Sequence, residues 1–174
     1  EIIAASGPVC GSIRPPGSRS ITNRALIVAA LADGTSYIEE VGLSDDTRVC
    51  AEALRALGLE ITVNEANRTM RVEGCGGCVP EGPKEINTGD SGTATRFMTA
   101  LAAAGCGRYR IDGSARMRER PIQDLLDSLA LLGADARSES GTGCPPVVLR
   151  ANGLRGGAAR TRELNARRKT LDAA

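Results

Sequence analysis

The sequence predicts an α+β fold in which a βαβαββ unit occurs twice, with apolar helices packed inward and sheets on the outside. Three observations support this prediction: an internal repeat, matched glycine-rich loops before apolar helices, and short strands that close each half of the repeat. Aligning residues 17–41 with residues 89–113 brings Arg24 onto Arg96, an offset of 72 residues. Further on, "LRALGLEI" aligns with "LALLGADA" at an offset of 75, as one loop insertion would produce. An ordinary α/β sheet is the alternative that this pattern leaves open.

Each unit is predicted to contain four strands and two helices. The strands are predicted from alternating apolar and polar residues, and the helices from apolar runs such as "ALIVAALA" and "FMTALAAA". The first unit has strands over 11–13, 36–40, 60–64 and 70–73 and helices over 21–31 and 45–57; the second has strands over 85–87, 109–112, 135–138 and 147–150 and helices over 93–104 and 122–132.

The predicted helix ends carry residues that suit them. Ser44 is a good N-cap, and Pro121 fits a first helical turn, where a missing N–H costs nothing. Gly34 and Gly107 are expected to adopt the left-handed conformation that ends a helix. The second helix of each unit is expected to end at a glycine, Gly58 or Gly133.

Two repeat units, at about 11–74 and 84–153, predict a partial domain over residues 1–157. The repeat pattern stops after Gly157. Residues 158–174 are polar and arginine-rich without strand alternation, so we expect a divergent tail that forms a surface helix or a solvated, disordered end.

Composition argues against several classes of function. A net charge of +1 and 2% aromatic residues do not fit a nucleic-acid-binding protein. No stretch approaches the roughly 18 apolar residues of a membrane span, so we expect no membrane partner and a cytoplasmic location. Only Cys75 and Cys78 of the six cysteines have CxxC spacing. A structural zinc site needs two such pairs or histidine partners, so no metal is expected and the pair is interpreted as inert or adventitiously reactive.

Residues 89–96, "GDSGTATR", begin like the nucleophile motif of a trypsin-like protease. A serine nucleophile needs a neighbouring base, usually histidine, and this chain has none. Neither Lys84 nor Lys169 has the spacing of a serine–lysine pair. We therefore interpret the segment as the second of two helix-start loops, with Ser91 not acting as a nucleophile.

Hydroxyl groups and arginines cluster at both helix-start loops, "PPGSRS" and "TGDSGT". A helix N-terminus offers unpaired N–H groups and a partial positive charge, so two such loops together predict an anion site, although either loop alone could be a helix cap only. The candidate residues are Ser18, Arg19, Ser20 and Arg24 on the first loop and helix, and Thr93 and Arg96 on the second. Arg120 is the best placed toward a ligand of the three arginines in "RMRER".

Four segments, in order and spacing, carry a resemblance to a known family. They are "PGSRSITNRALIVAALADG", "SDDTRVCAEALRALG", "GDSGTATR" and "RMRERPIQDLLDSLALLGA". Across residues 13–157 the chain resembles the N-terminal part of the 5-enolpyruvylshikimate-3-phosphate synthase family. The related UDP-N-acetylglucosamine enolpyruvyl transferases typically have Gly-Ala-Lys-Asn at positions 17–20 and are a weaker match.

The resemblance implies transfer of the carboxyvinyl group of phosphoenolpyruvate to shikimate 3-phosphate, in chorismate and aromatic amino acid biosynthesis, without a cofactor or metal. It implies that Arg19, Ser20 and Arg24 bind shikimate 3-phosphate. It also implies that phosphoenolpyruvate is bound by Arg19, Gly92, Thr93 and Arg120. No residue of this chain is expected to be catalytic in its own right.

The chain departs from the family pattern at three positions. Arg19 replaces a lysine, Asp90 replaces an asparagine, and Phe97 stands where proline is often found. The family also continues into a third unit and a second domain, so this chain is expected to be a fragment or shortened homologue that supplies part of the active site. A non-catalytic anion-binding or interaction module is the alternative. Because a cut helical core exposes apolar surface, self-association is also expected.

Overall fold

The computed structural model describes Ser12 and residues 16–157, which form four helices, one short 3₁₀ helix and seven strands. The helices are α1 (Arg19–Leu31), α2 (Asp45–Leu57), α3 (Gly92–Ala103) and α4 (Gln123–Leu131), and the 3₁₀ helix is Met117–Glu119. The strands are β1 (Thr35–Ile38), β2 (Ile61–Asn64), β3 (Thr69–Glu73), β4 (Lys84–Asn87), β5 (Cys106–Asp112), β6 (Asp135–Ser138) and β7 (Val147–Asn152).

The strands form two sheets, one from each unit. The first sheet has the order β1-β3-β2 with antiparallel pairs, and the second has the order β4-β5-β7-β6, in which only β4 and β5 run parallel. The second unit is a complete βαβαββ arrangement, and the described part of the first repeats it from α1 onward. Of the predicted strand at 11–13 only Ser12 is described, and it lies in no strand; the other two residues lie outside the described part. The predicted α+β class of repeated units is confirmed.

The helices pack against one another between the two sheets. Helix α2 contacts α1 and α3, and α3 contacts α4, so α2 and α3 are central. Their side chains Leu54 and Met98 are fully buried, as are Val72 and Ile111 on the inward faces of the two sheets. This apolar contact is the main source of stability, since each such side chain contributes about 1.5 to 3 kcal/mol when fully buried. Among the described residues, no helix is long and apolar enough to cross a membrane.

Two predictions about helix ends are wrong. Pro121 does not lie in the first turn of α4, because the helix begins at Gln123 with Ile122 as its N-cap. Gly107 does not end α3, because it is the second residue of β5, where it has a φ of 104°. The prediction for α2 is confirmed: Ser44 accepts a hydrogen bond from the Thr47 N–H at 3.2 Å, and the C-cap Gly58 is left-handed.

The two helix-start loops use the same cap but differ in length by one residue. Ser18 caps α1 by accepting from the Ile21 N–H at 3.4 Å, and Ser91 caps α3 by accepting from the Ala94 N–H at 3.2 Å. Gly17 directly precedes the first cap, whereas Asp90 separates the matching Gly89 from the second. Asp90 is therefore the extra residue of the second loop.

Glycine allows close contact between each helix-start loop and the loop at the end of the strand that follows its helix, β1 in the first unit and β5 in the second. A Cβ atom on Gly42 would collide with the Gly17 carbonyl oxygen and lie 2.6 Å from the Arg19 nitrogen. In the second unit, a Cβ on Gly113 would collide with the Gly89 carbonyl oxygen. Both units therefore bring the start of their first helix against the end of the following strand through the same backbone contact.

The segment that contains the two CxxC cysteines has a structural role. Three successive N–H groups of this segment donate to the last carbonyls of α1: Cys75 to Ala30 at 2.9 Å, Gly76 to Ala32 at 2.8 Å, and Gly77 to Leu31 at 2.9 Å. These bonds satisfy acceptors that a helix end otherwise leaves without partners. "CGGC" thus acts as the C-terminal cap of α1.

Replacing Gly42 tests the backbone contact. Gly42 has no left-handed φ, so Gly42→Ala adds only a steric clash, and we expect it to lower the free energy of unfolding by about 2 to 3 kcal/mol. The matched control is Gly34→Ala, where a Cβ meets nothing within 4 Å but φ is +78°. We expect that control to cost about 1 kcal/mol. Urea denaturation measures both, and equal losses would contradict the close contact.

Candidate anion site at two helix starts

A cleft of about 580 Å³ lies where the second turn of α1 and the N-terminal turns of α2 and α3 meet the segment before α4. Its lining combines positive side chains with a helix N-terminus, two carboxylates and one aromatic ring. The lining residues are Arg24, Asp46, Asp90, Gly92, Thr93, Arg96, Phe97 and Arg120.

The N-terminus of α3 faces two guanidinium groups. A Cβ atom on Gly92 would lie 3.1 Å from Arg96 Nη1 and 3.4 Å from Arg120 Nη1, so both side chains approach the bare Cα of this glycine. Ser91 caps the N–H of Ala94, while the N–H groups of Gly92 and Thr93 have no hydrogen-bond acceptor among the described residues. These two N–H groups and the positive helix end favour an anion at this point.

The three cleft arginines are held by backbone carbonyls. Arg24 donates to the Ser20 carbonyl at 2.9 Å, and Arg120 donates to the Asp90 carbonyl at 3.2 Å. Arg96 donates to the carbonyls of Gly92 at 3.0 Å and Pro121 at 2.9 Å. Because each guanidinium has five N–H donors, these bonds orient the arginines and leave most of their donors available for a ligand.

The two cleft carboxylates each face a polar partner. Asp46, in the first turn of α2, lies 4.0 Å from Arg19, with Oδ2 facing Nη1. The Asp90 side chain accepts a hydrogen bond from the Ser114 hydroxyl group. Asp46 links the exposed Arg19 side chain to the cleft. Ser114 lies in the loop that directly follows β5, here called a strand-end loop, and binds the Asp90 carboxylate from that side.

A charged cluster anchors the segment that carries Arg120. Asp112, at the end of β5, accepts two hydrogen bonds from Arg118, at 3.0 and 2.7 Å, and lies 3.2 Å from Arg110. The hydrogen bond from Arg118 is the main cause that lowers the pKa of Asp112. Arg118 is thus committed to the protein, which leaves Arg120 as the arginine of "RMRER" that reaches the cleft.

The structure brings together most of the predicted site residues. Arg24, Gly92, Thr93 and Arg120 line the cleft, while Arg19 lies beside it next to Asp46. Ser20 is exposed on the first turn of α1. Whether these residues bind the expected ligands stays a prediction. Ser91 is 2% exposed, and its hydroxyl group accepts the capping bond, so its position does not suit a nucleophile.

Sequence reasoning missed two residues of the site. The sequence predicts Asp46 only as part of a helix start and predicts no role for Ser114. The pair of aspartates in "SDDTR" was an available signal for Asp46, since one of them could face the neighbouring loop. Nothing in the sequence pairs Ser114 with Asp90, because 24 residues separate them and only the contact between loops brings them together.

A larger concavity, of about 830 Å³, lies on the second sheet and is a weaker candidate. Its side chains mix both signs of charge, and Arg110 pairs there with Glu139 at 2.8 Å. The helix-start cleft instead combines a helix N-terminus with arginines that retain free donors. We therefore place the candidate site in the cleft.

Inward helices, outward sheets and arginines at paired helix starts define the enolpyruvyl transferase class. The model of the EPSP synthase (3-phosphoshikimate 1-carboxyvinyltransferase) family matches residues 3–163, so the chain belongs to this family. It is 47% identical over 153 residues to the 3-phosphoshikimate 1-carboxyvinyltransferase of Rhizobium etli, a match that covers 87% of this chain and 35% of that protein. The enzyme of Nostoc punctiforme is 43% identical over 157 residues, which covers 90% and 37%.

Solved structures agree with this assignment. An EPSP synthase from Acinetobacter baumannii matches with a TM-score of 0.80 and 25% identity, covering 87% of this chain and 35% of that one. The enolpyruvyl transferase NikO from Streptomyces tendae shares the fold with a TM-score of 0.58 at 22% identity. The chain thus spans about a third of the length of the relatives it matches.

Acid should weaken the Asp112 cluster. The lowered pKa of Asp112 means that its ion pairs stabilise the fold fully above the pKa of an unfolded aspartate, about 3.9. That stabilisation is lost as the pH falls below this value through the folded pKa. We expect Asp112→Asn to be less stable than the wild type at pH 7, with the difference shrinking below about pH 4. Thermal unfolding from pH 7 to 3 measures this. The exposed Asp33→Asn serves as a control and should follow the wild type throughout.

Proposed function

We propose that this chain supplies one part of the active site for transfer of the carboxyvinyl group of phosphoenolpyruvate to shikimate 3-phosphate. One observation carries the proposal. Three arginines, held by backbone carbonyls, converge with the N-terminus of α3 on one cleft. Both substrates are multiply charged anions, and preoriented donors of this kind bind such groups without reorganisation.

The two helix starts are assigned to different substrates. Arg19, Ser20 and Arg24, at the start of α1, are proposed to bind shikimate 3-phosphate. Gly92, Thr93 and Arg120 are proposed to bind phosphoenolpyruvate, together with Arg19. The free N–H groups of Gly92 and Thr93 and the nearby Arg120 guanidinium support the second assignment.

The chemistry expected of the cleft is binding and charge stabilisation. The reaction is an addition followed by an elimination that releases phosphate, and charge accumulates on the departing group. Guanidinium groups and a helix N-terminus stabilise such charge in a transition state. Both described cleft carboxylates already face partners, Asp46 toward Arg19 and Asp90 toward Ser114. We propose that the general base comes from the part of the relatives that this chain does not span.

A non-catalytic anion-binding module is the second candidate. The observation that favours it is the chemistry of Arg19, which stands where the family resemblance implies lysine. A guanidinium is planar, retains its charge and does not move a proton as an ammonium can. Such a protein would bind phosphate in the cleft without supporting turnover when the remaining part of the enzyme is supplied.

We also propose a reducing compartment such as the cytoplasm as the site of action. The described cysteines are free thiols, namely Cys50, Cys75, Cys78, Cys106 and Cys144. Disulfides are rare in the cytosol, so free thiols fit this location. Burial raises the pKa of the Cys50 thiol to about 12, which keeps it protonated and unreactive.

A chimaera tests the catalytic proposal. We expect a fusion of residues 1–157 to the remaining part of the Rhizobium etli enzyme to release phosphate from phosphoenolpyruvate only when shikimate 3-phosphate is present. Arg120→Ala in the fusion should cost about 1.5 to 3 kcal/mol of transition-state binding, a loss of roughly ten- to a hundredfold in kcat/KM. Arg116→Ala is the control, because Arg116 is exposed in the same segment and does not line the cleft. A folded fusion that binds phosphate without turnover would favour the second candidate.

We further propose that the chain self-associates through the exposed apolar residues of α1. Ile21 and Val28, seven residues apart on this helix, are each 69% exposed. Val28→Lys is expected to reduce the associated fraction in sedimentation velocity, with little change in stability because the side chain is already exposed. Thr62→Lys, on the exposed face of β2, is the matched control and should leave association unchanged. A monomeric wild type at all concentrations would refute this proposal.

A further inference from the structure

The second helix-start loop has one residue more than the first, and that residue is Asp90. Two oxygen atoms of Asp90 contact the segment between β5 and α4. Its side chain accepts from the Ser114 hydroxyl group, and its backbone carbonyl accepts from Arg120 Nη1 at 3.2 Å. The loop is therefore attached to this segment at both of the segment's ends.

Ser114 connects Asp90 to the 3₁₀ helix that precedes Arg120. Its N–H donates to the Gly89 carbonyl at 3.0 Å, and its hydroxyl oxygen accepts from the Met117 N–H at 3.2 Å. The same hydroxyl group donates its hydrogen to Asp90, so its donor and acceptor functions are both used. One side chain thus binds both the first N–H of the 3₁₀ helix and the second helix-start loop.

The hydrogen bond between Ser114 and Asp90 also keeps the negative charge of the Asp90 carboxylate away from Arg120. A free carboxylate at the N-terminus of α3 would compete with an anionic ligand for Arg120. With Oδ1 bound to Ser114, the carboxylate lies toward the strand-end loop. Only the neutral backbone carbonyl of Asp90 then contacts Arg120.

We propose that Asp90 and Ser114 form a latch that positions Arg120 in the cleft, with Asp90 acting as a positioning residue. This inference rests on the proposed function only for the identity of the anion that Arg120 meets. The placement of Arg120 itself depends on the described contacts. Breaking the latch on either side releases the same segment, so the two partners act as one unit.

Arginine-selective labelling of the full chain with phenylglyoxal tests the latch. The rate of modification at each arginine is followed by peptide mass spectrometry, with Arg137 on the second sheet as the internal reference. We expect Asp90→Ala to raise the rate at Arg120 at least about fivefold, the change that loss of one hydrogen bond produces. Ser114→Ala should have the same effect, and the double variant should add nothing further. Asp90→Asn retains an oxygen acceptor for Ser114 and should keep the wild-type rate.

Three outcomes would overturn the latch. An unchanged rate at Arg120 in Asp90→Ala would show that the contacts do not hold it. An equal rise at Arg137 would show general loosening of the fold, and additive effects of the two alanine variants would show independent roles. A second arm adds phosphoenolpyruvate and shikimate 3-phosphate to the fusion with the remaining part of the Rhizobium etli enzyme. If it fails to slow modification of Arg120 while the variants behave as expected, the proposed function fails and the latch stands.

Discussion

The site depends on close backbone contact between the helix-start loops and the strand-end loops. Gly42 against Gly17, and Gly113 against Gly89, bring main chains together at distances that no side chain permits. The contact in the second unit places Ser114 beside Asp90 and sets the direction of the segment that carries Arg120. Without it, the arginines of α1 and α3 would not share a cleft with Arg120, since this residue lies 24 positions after Arg96 in the sequence.

The sequence was sufficient for the fold class, because the repeat, the apolar helices and the serine caps are local signals. The bounds of α2 follow from Ser44 and Gly58 alone. Helix α4 was harder to predict, since Pro121 suits a first helical turn but the first carbonyl that accepts a helical hydrogen bond is that of Ile122. Gly107 suggested a helix end, yet pairing with β7 draws it into a strand. Side-chain partners across loops, such as Ser114 and Asp90, depend on tertiary contact and leave no pattern in sequence spacing.

The cleft arginines hold neighbouring backbone segments together and keep further N–H donors for the proposed ligand. Arg96 joins the first turn of α3 to the Pro121 carbonyl. Arg120 joins the segment between β5 and α4 to the loop before α3, through the Asp90 carbonyl. Backbone carbonyls are neutral acceptors, so these bonds orient the guanidinium groups without cancelling their charge. Arg118 shows the contrast, because its two bonds to the Asp112 carboxylate neutralise it. Within the segment between β5 and α4, the charge of the protein partner therefore distinguishes Arg118, which is paired with a carboxylate, from Arg120, which is held by a neutral carbonyl.

The separation of the two sheets has a consequence for how the chain folds during synthesis. All described strand pairs lie within one unit, and the first sheet is closed by the pairing of Thr35 with Glu73. Every described strand of that sheet therefore precedes β4 in the chain and is translated before it. The contacts of the first unit that require the second unit are made chiefly by α2, which packs against α3 and β4. Confinement of the strand pairs to one unit favours sequential folding, in which the first unit offers a preformed apolar surface to the second.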